Sequence, residues 1–269
     1  MIKVNNVVFG SEQFSNGEVS YKPVKIHPER NQIDLYFQDN KDIADLMFAV
    51  GFIREQQPGS KIDLNVLYVP YGRMDRPIKG YVFSLKIFAD MINHLGFEHV
   101  YTLDNHSEEV LKRIHNIVEL DINPYITEVV RRYKPDYFFF PDKGAMRKYP
   151  RKINFCIHAQ YPYFYGQKQR VLDDSREIIS YELFNEGIEI KGKKVLIIDD
   201  ICCTGGTVMR AAKVMKSQGA LDIALWVAHC ENNVIKYDIV REGSPISCIY
   251  TSDSIIRNYH IPEIETILL

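Results

Sequence analysis

The chain has 269 residues, of which 46% are hydrophobic and 25% are charged, a balance typical of folded globular proteins. This composition excludes a disordered or collagen-like protein, and the length allows one large domain or two of ordinary size. The 33 basic and 35 acidic residues leave a net charge of −2 at pH 7, so no overall field attracts nucleic acid or an anionic membrane. We therefore expect neither partner, and we expect an anionic ligand to be bound by a local group of residues.

The five cysteines include no C-x-x-C pair and no spacing typical of a zinc site. Such usage is typical of reduced thiols inside a cell. The first residues lack the pattern of a secretion signal, and no segment reaches the roughly 18 consecutive apolar residues of a membrane span. These features predict a cytoplasmic protein.

Apolar runs typical of strands alternate along the chain with segments whose apolar residues recur every three to four positions. The predicted strands are Ile33–Phe37, Asp63–Val69, His99–Leu103, Asp136–Phe140, Lys194–Ile198, Ile223–Ala228 and Ser247–Tyr250. The predicted helices are Ile43–Glu55, Tyr81–Leu95, Pro124–Arg132 and Gly206–Gln218. This alternation predicts an α/β fold with parallel sheets. Asn123-Pro124 combines a turn signal with a proline suited to the first helical turn, which places a domain boundary between residues 1–122 and 123–256.

The strongest functional signal follows the apolar strand Lys194–Ile198. Asp199 and Asp200 come at its carboxyl end, where open parallel sheets bind ligands. Their carboxylates can accept hydrogen bonds from sugar hydroxyls. Small and hydroxyl residues then precede a predicted helix, so that backbone N–H groups and the helix N-terminus can bind a phosphate. The phosphate-binding segment is Cys203-Thr204-Gly205-Gly206-Thr207. Taken singly, the acid pair would be a strand-end turn and the glycine pair a helix entry, but their order predicts a ribose-phosphate site.

This segment resembles the loop that binds phosphoribosyl pyrophosphate (PRPP) in the phosphoribosyltransferase superfamily. Other segments resemble one branch of it, the ribose-phosphate pyrophosphokinases or PRPP synthetases. Phe14-Ser15-Asn16-Gly17-Glu18 is similar to the family segment that contacts adenine from a neighbouring subunit, and Pro70-Tyr71-Gly72-Arg73-Met74-Asp75-Arg76 is similar to the segment that holds the ATP phosphates. The ATP-binding residues that the resemblance implies are Phe14, Asn16, Glu18, Arg73, Asp75, Arg76 and His106.

Three further segments carry the resemblance. Leu103-Asp104-Asn105-His106 resembles the strand end whose histidine is a magnesium ligand, and Pro141-Asp142-Lys143-Gly144 resembles the segment whose aspartate lies near the metal and the sugar. Gln167-Lys168-Gln169-Arg170 resembles the flexible loop that carries the catalytic pair. The resemblance therefore implies His106 and Asp142 as metal ligands and Lys168 and Arg170 as catalytic residues.

The resemblance implies two tandem type I phosphoribosyltransferase-like domains, each a mainly parallel sheet flanked by helices, with residues 257–269 returning to the first domain. It also implies a homo-oligomer in which neighbouring subunits share the adenine site. The implied reaction transfers the β,γ-diphosphate of Mg²⁺-bound ATP to the anomeric hydroxyl of a ribose 5-phosphate moiety and releases AMP. Cationic side chains are suited to this chemistry because negative charge accumulates on the transferred group and on the leaving AMP.

The chain departs from the family pattern at a few positions. Cys203 stands where the family has a further loop aspartate, and Asn16 and Met74 replace an aspartate and a glutamine in the ATP segments. These departures leave open the same transfer to a 5′-substituted acceptor such as ADP-ribose, giving ADP-ribose pyrophosphate. They also leave open a catalytically silent regulatory paralogue that binds ribose phosphates. A transferase that consumes PRPP is disfavoured, because it would not need the segments around Phe14 and Arg73.

Overall fold

A computed structural model describes residues 1–153, 161–170, 178–185, 187–256 and 261–268. The chain divides into two units, Met1–Asp121 and Ile122–Leu269, and each is described by itself. The division lies one residue from the boundary that the Asn-Pro signal predicts.

Fifteen strands and six α-helices are found among the described residues. The strands are β1 (Ile2–Val4), β2 (Val7–Val8), β3 (Ser11–Gln13), β4 (Val19–Tyr21), β5 (Arg30–Leu35), β6 (Lys61–Asn65), β7 (His99–Leu103), β8 (Ile117–Leu120), β9 (Tyr137–Phe140), β10 (Tyr163–Arg170), β11 (Ile178–Phe184), β12 (Lys194–Cys202), β13 (Asp222–Cys230), β14 (Cys248–Thr251) and β15 (Ile264–Thr266). The helices are α1 (Lys41–Gln56), α2 (Ser84–Leu95), α3 (Glu108–Arg113), α4 (Asn123–Tyr133), α5 (Lys143–Lys152) and α6 (Gly206–Ser217).

The first unit contains a six-stranded sheet with the order β2-β1-β5-β6-β7-β8. Strands β5 to β8 run parallel, whereas β1 pairs antiparallel with both β2 and β5. The buried residues of α1 and α2 recur every three to four positions, as expected for helices that cover one face of a sheet. Strands β3 and β4 form a separate antiparallel hairpin.

The second unit contains a seven-stranded sheet with the order β11-β10-β9-β12-β13-β14-β15. Only β11 runs antiparallel to its neighbour; every other pairing in this sheet is parallel. The central strands are buried on both faces, since Val195–Ile198 and Ile223–Ala228 are fully shielded from solvent. The predicted α/β fold with mainly parallel sheets is therefore confirmed in both units.

Two expectations about chain path are wrong. Of the predicted segment 257–269, the described residues 261–268 belong to the second unit, because Ile264–Thr266 pairs in register with Ile249–Thr251 as the edge strand of the second sheet. The segment Gln167–Arg170 is not a loop, because its backbone lies in β10 and pairs with β11. In both cases hydrogen bonding to a strand distant in sequence decides the conformation, and local residue pattern does not reveal it.

The pattern also missed short elements, including the strands β1–β4 and the helices α3 and α5. Helix α5 had a local signal, since Asp142 is its N-cap and accepts hydrogen bonds from the N–H groups of Gly144 and Ala145. In the part of the chain that the structure describes, no helix is long and apolar enough to cross a membrane.

Candidate active site

The acid pair lies at the carboxyl end of β12, the central strand of the second sheet. The apolar run before it is completely buried, so the strand holds a fixed position while Asp199 and Asp200 reach the sheet edge. The N–H of Asp200 donates to Oδ1 of Asp199 at 3.0 Å, which orients that carboxyl group. Two neighbouring carboxylates at the carboxyl end of a parallel strand are suited to accept hydrogen bonds from the hydroxyl groups of a bound sugar.

The segment after the acid pair makes a tight entry into α6. Gly205 has a φ of +74°, a conformation that favours glycine, and a Cβ atom at this position would lie 2.6 Å from Cδ1 of Ile239. Helix α6 then begins at Gly206, whose N–H donates to Oγ1 of Thr204 at 3.4 Å. The first N–H groups of a helix have no partner within that helix and bind anions well. The backbone here is compatible with an anion at the start of α6, and phosphate binding stays a prediction.

The environment of Asp199 shifts the pKa of its carboxyl group. Burial raises the pKa of Asp199 well above its ordinary value of 3.8, and the nearby charges of Asp200 and Asp142 raise the pKa further. Nζ of Lys148, on α5, lies 3.8 Å from Oδ2 of Asp200. Asp142 therefore lies close enough to affect Asp199, while its role as a metal ligand stays a prediction, and Lys148 is a further charged neighbour for which the sequence had no signal.

Tyr181 packs beside this acidic group. Its hydroxyl donates to the carbonyl oxygen of Pro141 at 2.5 Å, and its ring occupies the space that a side chain at residue 166 would need. Burial, followed by the charges of Asp142 and Asp199, raises the pKa of the Tyr181 hydroxyl. Tyr181 therefore stays protonated and donates a hydrogen bond at neutral pH.

The carboxylates of this site are the candidate protein ligands of a magnesium ion in the second unit. Among the described residues, no group of three or more His, Cys, Asp or Glu side chains forms a metal site. Oδ1 of Asp142 is also occupied by the two N–H groups that it caps. Because Mg²⁺ keeps several waters and binds through one or two carboxylates and substrate phosphates, Asp199, Asp200 and Asp142 fit that mode.

A further carboxylate, missed by the sequence analysis, lies beside the phosphate loop. Glu231 directly follows β13, and its Oε1 accepts a hydrogen bond from Sγ of Cys203 at 2.9 Å. A signal existed, because Glu231 stands near the carboxyl end of a predicted buried strand, as the acid pair does. The pairing of β12 with β13, which brings Glu231 beside the phosphate loop, could not be predicted from the sequence.

In the first unit, the predicted adenine segment is the tip of the β3–β4 hairpin. Phe14 is 57% exposed, and its N–H donates to the carbonyl oxygen of Glu18 at 2.8 Å. Asn16 closes the turn, since its Nδ2 donates to Oε2 of Glu18 and its Oδ1 accepts from the Glu18 N–H. The hairpin thus presents an aromatic ring to solvent, a geometry compatible with stacking on a base.

The predicted phosphate-binding arginines and His106 follow neighbouring parallel strands. The turn before Arg73 is held by Tyr71, which has a φ of +62°, donates its hydroxyl to Asn40 and packs its ring against Phe88. The N–H of Leu103 donates to the carbonyl oxygen of Leu67 at 3.0 Å, so both loops leave the same edge of the first sheet. The roles of these residues stay predictions.

The metal set implied by the sequence is split between the units, because His106 belongs to the first and Asp142 to the second. The backbone of Lys168 and Arg170 lies in β10, where Lys168 is in register with Tyr181 of β11. The catalytic role of this pair also stays a prediction.

Comparison with known proteins connects both units to one family. Residues 112–263 match the phosphoribosyl transferase domain family. Ribose-phosphate pyrophosphokinase 2 of Archaeoglobus fulgidus is 28% identical over 239 residues, 87% of this chain and 80% of that protein. The ribose-phosphate pyrophosphokinase of Saccharolobus solfataricus is 30% identical over 237 residues, 85% of this chain and 77% of that protein.

A solved structure shares the fold over nearly the whole chain. Phosphoribosylpyrophosphate synthetase from Mycobacterium smegmatis superimposes with a TM-score of 0.72 at 16% identity, covering 98% of this chain and 87% of that chain. The sequence relatives, the domain match and the two tandem α/β units agree with the resemblance found from the motifs. The chain belongs to the ribose-phosphate pyrophosphokinase family of transferases, within the phosphoribosyltransferase superfamily.

Proposed function

We propose that this protein transfers the β,γ-diphosphate of ATP to the anomeric hydroxyl of ribose 5-phosphate, forming PRPP and releasing AMP. The observation that carries the proposal is the arrangement of the acid pair, the Gly205 turn and the N-terminus of α6 at one edge of the second sheet. This arrangement combines acceptors for sugar hydroxyls with donors for a phosphate, which together match a ribose phosphate.

Each group of residues has a proposed task in this reaction. Asp199 and Asp200 accept hydrogen bonds from the ribose hydroxyls, while the backbone of Thr204–Thr207 binds the 5-phosphate. Lys168 and Arg170 stabilise the charge that develops on the transferred diphosphate and on the leaving AMP. Bound Mg²⁺ would neutralise part of the ATP phosphate charge, and Asp142 is a candidate protein ligand for it in this unit.

The first unit has the task of holding ATP. The exposed Phe14 ring would stack on adenine, with Asn16 and Glu18 shaping the turn, and Arg73 and Arg76 would bind the phosphates. His106 and Asp75 complete this proposed set. We also propose that a second copy of the chain completes the adenine site and that the protein acts in the cytoplasm.

The direct test is to follow AMP release from Mg²⁺-ATP with ribose 5-phosphate and, separately, with ADP-ribose, recording product masses. We expect AMP and a product of the mass of PRPP with ribose 5-phosphate. ADP-ribose is the second acceptor because Cys203 departs from the family pattern. Product from ADP-ribose alone would replace the proposed acceptor, and the absence of AMP with both would contradict the transfer itself.

Substitution of the proposed catalytic pair tests the mechanism. We expect Lys168→Ala and Arg170→Ala each to lower kcat by about 10²–10³-fold, the usual cost of removing one group that stabilises transition-state charge. The binding constant for ribose 5-phosphate should change little. Gln167→Ala and Gln169→Ala, on the same strand, are matched controls and should retain activity. Wild-type turnover in both cationic variants would refute the assigned roles.

A further inference from the structure

Glu231 and Cys203 occupy equivalent places on neighbouring strands. Strands β12 and β13 run parallel with Cys202 in register with Cys230, so each of the two residues is the first beyond its strand. The N–H of Glu231 donates to the carbonyl oxygen of Cys202 at 2.9 Å, which extends the pairing by one residue. Glu231 is therefore placed at the same sheet edge as the acid pair and the phosphate loop.

The backbone of Glu231 is fixed on both sides. Its carbonyl oxygen accepts a hydrogen bond from the N–H of Val234 at 3.0 Å, in the 3₁₀ helix Asn232–Lys236 that follows. Val234 is buried, and so is Ile239, which packs against the Gly205 turn. The segment after β13 thus supports the phosphate loop from one side, and the Glu231 side chain extends from that support to Cys203.

The Cys203 thiol is a suitable neighbour for a carboxylate, because a neutral thiol donates a weak hydrogen bond and adds no charge. An ionised carboxylate has two oxygens and about four acceptor positions, so it can bind a thiol and a sugar hydroxyl together. An aspartate at residue 203 would instead bring two carboxylates within hydrogen-bond distance, which disfavours the ionised form of both. The Cys203–Glu231 pair therefore keeps one carboxylate at this position.

We propose that Glu231 is a third acidic residue of the ribose-phosphate site. Its carboxylate accepts a hydrogen bond from a hydroxyl of the bound ribose, and the Cys203 thiol orients that carboxylate. This inference rests on the proposed function, because it takes the ribose to bind against Asp199, Asp200 and the loop. It adds a substrate contact from β13 to a site otherwise built from β12 and α6. Glu231 is thus a binding residue and a determinant of acceptor affinity.

The test exchanges the positions of the carboxylate. Binding of ribose 5-phosphate and of ATP is measured by calorimetry for the wild type, Glu231→Gln, Cys203→Asp and the double variant Cys203→Asp/Glu231→Gln. Glu242→Gln, at an exposed position of the same unit, is the matched control. Thermal unfolding of each variant shows whether it is folded.

We expect Glu231→Gln to weaken ribose 5-phosphate binding by at least about tenfold, as for the loss of a hydrogen bond to a charged acceptor, and to leave ATP binding unchanged. The double variant should regain most of the affinity because it restores one carboxylate to the contact. Cys203→Asp alone should unfold at a lower temperature than the double variant, since only it brings two carboxylates together.

Wild-type affinity in a folded Glu231→Gln variant would overturn the inference while leaving the proposed function intact. Weak binding in Glu231→Gln without recovery in the double variant would assign Glu231 a structural role and would also overturn it. Failure of the wild-type protein to bind ribose 5-phosphate would refute the proposed function, and the inference with it.

Discussion

Replacing Gly205 by alanine adds backbone strain and a packing conflict at the phosphate loop. The residue has a φ of +74°, which costs a non-glycine residue about 1–2 kcal/mol. The added Cβ would also lie 2.6 Å from Cδ1 and 3.1 Å from Cβ of buried Ile239, and overpacking of this kind costs about 1–3 kcal/mol. We therefore expect Gly205→Ala to lower the free energy of unfolding of the second unit by about 2–5 kcal/mol.

The adjacent glycine provides the matched control. A Cβ on Gly206 would have Oγ1 of Thr204 at 3.7 Å and Nη1 of Arg210 at 4.0 Å as its nearest neighbours, which are ordinary contacts. Because Gly206 is the first residue of α6, alanine there should leave stability unchanged or raise it by up to about 1 kcal/mol. Two adjacent and chemically identical substitutions are thus expected to have very different effects.

Urea unfolding followed by tryptophan fluorescence measures both variants. The chain has a single tryptophan, Trp226, which is buried in β13 and so reports on the second unit. Combining Gly205→Ala with Ile239→Ala removes the closest contact, to Cδ1, and keeps the backbone strain, so the pair should cost less than the sum of its parts by up to about 3 kcal/mol. Equal midpoints for Gly205→Ala and Gly206→Ala would refute the reasoning.

Two further substitutions test the electrostatics and hydrogen bonding of the site. Burial raises the pKa of Asp199, and the charges of Asp200 and Asp142 raise it further. The contribution of Asp199 to stability is therefore fully present below its ordinary pKa of 3.8, and it is lost as pH rises through the pKa that the residue has in the folded protein. Asp199→Asn should therefore flatten the fall in stability with rising pH and be the more stable protein at neutral pH; parallel urea midpoints for both proteins across the pH range would contradict this. Tyr181→Phe removes the hydrogen bond to the Pro141 carbonyl and should cost about 1 kcal/mol in urea unfolding, and an unchanged midpoint would show that this bond adds nothing.

The residue pattern was sufficient where local chemistry alone decides structure. A completely apolar strand followed by acids, hydroxyl residues and two glycines has few other folded arrangements, and β12, the loop and α6 follow the order that the sequence predicts. Which of the two glycines has no room for a side chain was not readable from sequence, because the atoms that a Cβ at residue 205 would meet belong to Ile239, 34 positions further along the chain.

Tertiary structure decided which side chains meet when strands distant in sequence pair. Glu231 reaches Cys203 because β13 pairs with β12, and Tyr181 packs over Gly166 because β11 pairs with β10. Pairing with β14 likewise places Ile264–Thr266 in the second sheet. Strand partners are chosen by burial and hydrogen bonding over the whole sheet, whereas a local pattern specifies only that a segment is a strand and which of its residues are apolar.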